Sequence, residues 1–557
     1  PPYMIPAKWV LLKAFPLTFN NKIDRQALPK PEEAAEVKNS GYAAPAGNAE
    51  TVLSGIWQRL LGHNSIGPND DFFGSGADSL LLMRLGYEIT DHFSIPVTIT
   101  ELFGIHTLTI KTLADYIEQK RKTAPGTGST VLPEFDHRRA TVAQRNLFVQ
   151  KKLNPSLAFP NSSLTFKIHG AIDPEKLENA FKAVIAVHES LRTAFGFGKN
   201  NVYKRVGTEF DFSIITLNVP ATDPDNTIME WTKPFDFDRY PLIRAFVLTL
   251  ANAEQYLHID MPHINSDGES MKTIIADVAA RYNKSAGQKE RLQFEDFQRR
   301  LFEYTHTPEY QADLHFWKAQ FSTPVQPLWE KPAAGIAPAA LFAGNSYVGA
   351  FPEPICDQVK AYLKNSNLSR YQLLLITYCL FIHRITTAEN FAVMLPVHNR
   401  WERGLEDVVG LLSNMILLKV EIAPAACIGD FTAGCRAVIL NSMQHQRFPF
   451  EDLAELLKKE RIDTRGLMQL FFGYHLHTTA YHLNGAALQL YIPLKDKENL
   501  PLSVAVFDTG SGLTMRWSSA AGFFDKNALK SLMDQYLDTL CRFMSAGVHS
   551  TVGSLLV

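Results

Sequence analysis

Residues 256–270 read YLHIDMPHINSDGES. The run from Tyr256 to Met261 reads as a strand. Pro262, with a fixed φ and no backbone N–H, must end it or bulge it. A histidine and an aspartate follow four positions apart, and Gly268 closes the turn. His258, Asp260, His263 and Asp267 could be metal ligands by residue type, but strand alternation sets 258 and 260 on the face opposite 261 and 263. No HExxH and no third convergent ligand accompany them, so no metal is expected. On these residues alone, a satisfied core histidine beside an Asp-Gly turn is the plainer reading. No GxSxG elbow occurs anywhere in the chain, and FGFGKNN (195–201) lacks P-loop spacing.

Outward from this stretch, strand patterns (163–170, 242–250, 255–262, 488–494, 500–508, 513–519) alternate with helical ones (174–195, 371–385, 450–460, 527–544). They predict an α/β region in two lobes, with a Pro/Ala-rich stretch at 331–340 near its middle. Ahead of it, two linker-like segments, 30–50 and 121–134, bracket helical patterns at 49–61, 79–93 and 109–120. These predict a small helical bundle that has no disulfide or metal to support it and depends on helix packing.

A length of 557 residues suggests about three or four structural units. With 46% hydrophobic and 20% charged residues the chain can build ordinary cores, and a formal net charge of −2 carries no footprint for nucleic acid or an anionic membrane. The five cysteines (Cys356, Cys379, Cys427, Cys435, Cys541) form no CxxC and read as reduced thiols, which implies a cytoplasmic location. The longest apolar run, YQLLLITYCLFIH at 371–383, is too short to cross a bilayer and predicts a buried helix. The opening PPYMIPAKW has neither a signal-peptide pattern nor a Met, and reads as a piece of something longer.

The stretch DDFFGSGADSLLLMRL (70–85) places Ser79 between a polar turn and an apolar helix. The residues alone allow an N-cap serine or a site for an anionic group at a helix N-terminus. The run from Leu80 to Met83 followed by Leu85 holds more leucine than one buried face needs, so some of it should be exposed for docking.

This motif, with IWQRLLGHNSIGPNDDFF overlapping it upstream, resembles the peptidyl carrier (thiolation) domains of nonribosomal peptide synthetases. The resemblance implies a four-helix bundle with 4′-phosphopantetheine covalently on Ser79, installed from CoA by a phosphopantetheinyl transferase. Residues 2–31 resemble the last motif of an adenylation domain, with Asn21 where that family has glycine and Lys22 as the matching lysine. Without the rest of that domain, no adenylation is expected from this chain.

After 134, AQRNLF (143–148), HESLRTAF (188–195), PFDFDRYPLIRAF (234–246), MPHINSDGES (261–270), VVGLLSNM (408–415), HQRFPFEDL (445–453) and RIDTRGLMQLFFGY (461–474) resemble the ordered motifs of condensation domains. That implies a chloramphenicol acetyltransferase-like fold, two lobes in a V with a central tunnel. The functional second histidine of the His-His-x-x-x-Asp-Gly motif falls on His263, as general base or as a positioning and charge-stabilising group. Asp267 would make a structural ion pair, with Arg192 or Arg400 as partner. Gly268 would allow close approach, its N–H facing the developing oxyanion. The sequence departs from the motif at Pro262, where the first histidine is usual, and at Glu269, where a bulky aromatic is usual.

The organisation implied is an adenylation tail at 1–32, a linker at 33–44, a carrier at 45–121, a linker at 122–134, and condensation lobes at 135–310 and 311–557. The activity implied is amide formation between an L-configured donor on Ser79 and an acceptor on a downstream carrier, the donor loaded by an upstream adenylation domain. Three alternatives stand beside it. One is a condensation-like domain that modifies a carrier-bound residue; another is a non-catalytic platform for partner enzymes. The third is a free-standing acyltransferase using acyl-CoA, which would work without Ser79.

Overall fold

The computed structural model describes residues 48–61, 66–72, 85–86, 88–89, 92–93, 95, 97, 101–102, 105, 108–123, 134–153, 161–198, 201–285, 291–330 and 343–555. The chain divides into two compact units, Pro1–Gly128 and Ser129–Val557. In the first, Asn48–Leu61 and Ile110–Thr123 are helices, and residues 85–86, 88–89 and 92–93 are helical. Leu53, Ile56, Trp57 and Leu60 recur at helical spacing and turn one stripe inward. Leu53, Ile56 and Trp57 are buried with Phe72, Leu85, Ile89, Leu113 and Ile117. Trp57 and Phe72 pack with ring centroids 4.7 Å apart. Ser79 and Lys22 lie outside the described residues.

The second unit is built on two six-stranded sheets. The order in the first is Tyr481–Leu483, Ala486–Tyr491, Asn161–His169, Gln255–Pro262, Arg244–Thr249, Ile215–Asn218. Alternation sends Leu164, Phe166, Leu257, Ile259 and Met261 to one face, where they share a core with residues of the helices Pro174–Val187 and Gly268–Tyr282. The second sheet runs Gly344–Ala350, Leu513–Ala520, Leu502–Asp508, Leu470–Leu476, Asn390–Val397, Asn414–Glu421. The apolar run at 371–383 is indeed a buried helix, Arg370–Thr386, started by a capping box of Ser369 and Gln372. It shares the largest core with the helix Lys526–Ser545 and with Phe472, Val504 and Trp517 of the sheet.

Two features depart from the sequence reading. The helix expected over 174–195 ends at Val187, and the chain continues as a short 3-10 turn, Glu189–Arg192, and a strand, Thr193–Phe197. Leu191 and Phe195 are one helical turn apart in sequence but fill different cores, so a continued helix could not serve both. His188 takes an extended conformation at the break, and its buried ring bonds Asp277 across 2.8 Å. The second departure is a crossing: Ala486–Tyr491 pairs antiparallel with Asn161–His169, Leu490 opposite Phe166, before the chain returns to the second sheet. The first sheet therefore needs both halves of the chain.

On the other face of the first sheet lies a row of buried polar side chains. His258 contacts Thr165 Oγ1 through Nδ1 at 2.8 Å, and Arg244 pairs with Asp260 at 2.6 Å. Burial, then the nearby Arg244 charge, pushes the His258 imidazole down to about 3. In the unfolded chain it titrates near its ordinary value of about 6.5, so there the unfolded state binds the extra proton. Stability from this residue is fully present above about pH 6.5 and is lost as pH falls toward the folded value, by up to about 1.4 kcal/mol per pH unit. A His258→Gln chain should show a flatter dependence of melting temperature on pH between about 6.5 and 4. An unchanged slope would contradict this role for His258.

Candidate active site at the junction of the lobes

The strand Gln255–Pro262 carries its register through the proline, which sits opposite Asn161, and ends there. The Pro262 carbonyl then accepts the Asn265 N–H at 3.1 Å and the Ser266 hydroxyl at 3.0 Å, closing a tight turn. Two segments far away in sequence hold this turn from behind. Gln144 donates to the Ile264 carbonyl at 3.1 Å. Asn265 donates to the carbonyls of Ser190 and Thr193 at 2.6 and 3.1 Å. The turn is therefore fixed by buried backbone-directed bonds rather than by its own short sequence.

His263 is half-buried at the tip. Its Nδ1–H donates to the Ser266 carbonyl at 2.7 Å. A carbonyl can only accept, so the neutral ring carries its proton on Nδ1 and presents the Nε2 lone pair.

Asp267 is fully buried and caps the helix Gly268–Tyr282. Six donors converge on its carboxylate. They are the Ser270 N–H and hydroxyl, both Arg400 terminal nitrogens at 3.0 Å, and the N–H groups of Leu412 and Ser413. Burial alone would raise its pKa; the Arg400 charge and these bonds outweigh it and hold the carboxyl below the usual carboxylate range. Such a group neither gives nor takes a proton near neutrality. Arg400 is thus the ion-pair partner; Arg192 instead donates to the carbonyls of Ile185, Ala186 and Gly207. Arg400 belongs to the segment after the strand Asn390–Val397 of the second sheet, so the pair joins the lobes. Asn399 precedes it with a φ of 54°, a left-handed turn that asparagine tolerates and that redirects the chain. Gly410 belongs to the same clamp: its N–H donates to the Ser270 hydroxyl oxygen at 3.1 Å, and a Cβ there would come within 2.2 Å of Phe294.

Gly268 begins the helix, and a Cβ built on it would meet no protein atom within 4 Å. The fold's own packing does not require glycine here, which leaves room in front of the helix N-terminus for something else to approach. Glu269, next along, pairs with Lys272 at 2.6 Å.

A second group of buried and half-buried polar residues lies on the second sheet. Pairing puts His475, Phe507, Thr514 and Arg516 on the face opposite the Leu502, Val504, Met515 and Trp517 core. His475 stacks on Phe507 with centroids 5.2 Å apart, and Arg516 lies 5.4 Å over the same ring. Burial lowers His475 to about 3, with His477, Arg516, Lys272 and Lys495 adding to it; His477 falls to about 4, through burial and Lys272. His398 is lowered by burial too, opposed chiefly by Glu269. Among the described residues, no group of three or more His, Cys, Asp and Glu gathers in a way that could hold a metal ion.

Sequence reasoning named His263, Asp267 and Gly268, which the structure places in one loop, and left the partner of Asp267 open between Arg192 and Arg400. It did not single out His398, His475, His477, Lys495 or Arg516. The only available signal was HLH at 475–477, two rings at strand spacing after an apolar run.

Fold and site together define a two-lobed α/β protein with a histidine loop clamped where its lobes meet. The condensation-domain family model matches residues 135–552, and the phosphopantetheine attachment site model matches 51–117. The chain belongs to the condensation-domain family, preceded by a phosphopantetheine carrier domain, the arrangement of nonribosomal peptide synthetases. It is 27% identical to tyrocidine synthase 2 of Brevibacillus parabrevis over 546 residues, 97% of this chain and 15% of that one. It is 28% identical to bacitracin synthase 3 of Bacillus licheniformis over 464 residues, 83% of this chain and 7% of that one. The chain thus spans only a small part of these curated relatives. The first condensation domain of the calcium-dependent antibiotic synthetase, solved with a substrate analogue, has the same fold. Its TM-score is 0.65 at 18% identity, covering 75% of this chain and 98% of that one. No helix among the described residues is long and apolar enough to cross a membrane.

Removing one partner of the Asp267–Arg400 pair leaves a buried, uncompensated charge. Asp267→Asn and Arg400→Met should each lower the unfolding free energy of the second unit by about 3–5 kcal/mol, read from denaturant midpoints. A loss below about 1 kcal/mol, the size typical of surface pairs, would contradict the clamp.

Proposed function

We propose that the second unit forms an amide bond between an acyl group delivered on the Ser79 carrier and an amine delivered on a downstream carrier. The observation that carries this reading is the His263 ring, held by Ser266 with its Nε2 lone pair unspent. When bound to Ser79, 4′-phosphopantetheine supplies a flexible arm that presents the acyl group as a thioester. The nitrogen–carbon bond forms as the carbon–sulfur bond breaks, and the proton shed by the amine passes to the departing sulfur. His263 Nε2 is suited to hold that proton in transit, a role typically contributing about 10²–10⁴-fold. Gly268 N–H, at the positive end of its helix, is suited to face the carbonyl oxygen as charge develops. Asp267 and Arg400 act as positioning residues: they keep the loop in one shape. Pro262 is compatible with the same reading, because its backbone carbonyl, accepting the Asn265 N–H and the Ser266 hydroxyl, anchors the turn with no donor from its own side chain. The upstream adenylation domain, the priming transferase, an L-configured donor and a cytoplasmic setting belong to this proposal.

Intact-protein mass spectrometry tests it. With an aminoacyl-phosphopantetheine installed on Ser79 and an aminoacylated acceptor carrier added, dipeptide should accumulate on the acceptor. His263→Ala should slow this by at least about 100-fold, and Ser79→Ala should abolish loading. Loading without transfer over a range of donors and acceptors would overturn the reading. Gly268→Ala offers a separate check. Helix propensity predicts equal or slightly higher stability, by up to about 1 kcal/mol, and the intruding methyl predicts slower transfer. Unchanged transfer would remove Gly268 from the site.

A further inference from the structure

A cavity of about 670 Å³ lies in the second unit, between the helices Glu353–Lys364 and Ile428–Gln444 and the end of the helix Lys526–Ser545. Helical spacing builds its walls. Gln358, Ala361, Tyr362 and Asn365 recur at i, i+3, i+4 and i+7 on one side. Gly429, Thr432, Ala433 and Arg436 repeat that spacing on the other. The small residues at 361, 429 and 433 keep the two helices from filling the space with their own side chains. Leu368, Ile428, Met544 and Val548 supply apolar surface. Neither His263 nor any residue that holds its loop lines this cavity.

The charge on these walls is one-sided. Arg436 is the single charged residue among them, and no carboxylate lines the cavity. The Arg436 side chain is half-buried and makes no hydrogen bond or ion pair with any described residue. Its Nε is closed off from solvent, whereas its terminal nitrogens stay within reach. Tyr362, across the cavity, packs its ring 6.0 Å from that of Phe543, and its hydroxyl has no acceptor among the described residues. Burial pushes that phenol up, so it remains a donor at neutral pH. Polar groups in such places normally find partners. Two donors without one, on the walls of one largely apolar space, call for an oxygen acceptor from outside the chain. A guanidinium fork matches a carboxylate with two parallel bonds, and one arginine balances one negative charge. The volume is that of a site for a small organic molecule.

We infer that this cavity binds a small monocarboxylate with an apolar body. Its carboxylate meets Arg436 and Tyr362, and its body lies against Leu368, Ile428, Met544 and Val548. The site is separate from the His263 loop and does not depend on the amide-forming reading.

Calorimetric titration of the full chain tests this with three probes that share a phenylpropyl body: 4-phenylbutanoate, its neutral amide, and 3-phenylpropyl phosphate. The carboxylate should bind at least about tenfold more tightly than the amide, and the dianionic phosphate no more tightly than the carboxylate. Arg436→Gln should bring carboxylate and amide within about twofold, since the charge-assisted bonds are what it loses. It should leave the unfolding midpoint unchanged, because Arg436 has no protein partner to give up. Arg436→Lys, which keeps the charge without the fork, should retain a smaller preference. Ala433→Trp, which places a ring in the cavity from an exposed position, should abolish binding of both. The inference is overturned if the carboxylate does not bind more tightly than about 1 mM, if the amide binds equally well, or if the preference survives Arg436→Gln. Binding unchanged by Ala433→Trp would remove it from this cavity, and a phosphate that binds more tightly than the carboxylate would overturn the choice of a monoanion.

Discussion

A single carboxylate with six hydrogen-bond donors determines much of the second unit. Asp267 ends the turn that carries His263, caps the helix that starts at Gly268, and ties both to Arg400 and the backbone of 412–413 in the other lobe. A buried charge of this kind is tolerated only when fully paired, so it admits few arrangements of its surroundings. The loop shape, the helix direction and the approach of the lobes are thereby set together. The same condition removes Asp267 from proton transfer, because its carboxylate is held ionised. What remains for chemistry is the histidine at the tip of the turn.

The ring's own environment is simple by comparison. One backbone carbonyl fixes its tautomer, and the loop behind it is held by Gln144 and Asn265. Motifs far apart in sequence thus serve one purpose, positioning a few backbone atoms. That is why a proline can stand before His263. The turn draws on the Pro262 carbonyl, which every residue has, and on no side chain at that position. Gly268 differs, because its lack of a side chain leaves space that no protein atom fills.

Much of this was legible in the chain itself. The break at Pro262, the His-to-Asp spacing and the glycine are local features that report a turn, and the apolar run at 371–383 reported a buried helix. Other features depend on distant partners and left no local trace. The choice of Arg400 over Arg192 turned on a left-handed Asn399 and on which lobe supplied the charge. The helix ending at Val187 was hidden because Leu191 and Phe195 fit helical spacing, although they fill separate cores. The crossing of 486–491 into the first sheet is a matter of topology, and the cluster around Phe507 exists only because three strands align in register. Ser79 was legible only as a motif, and it lies outside the described residues.

The site stands or falls on the clamped loop presenting the His263 Nε2 lone pair. Nitrogen-15 NMR of histidine-labelled chain tests this most directly, above the pH at which the ring takes a second proton. The geometry predicts a His263 signal with the proton on Nδ1 and an unprotonated Nε2. A proton found on Nε2 would contradict it.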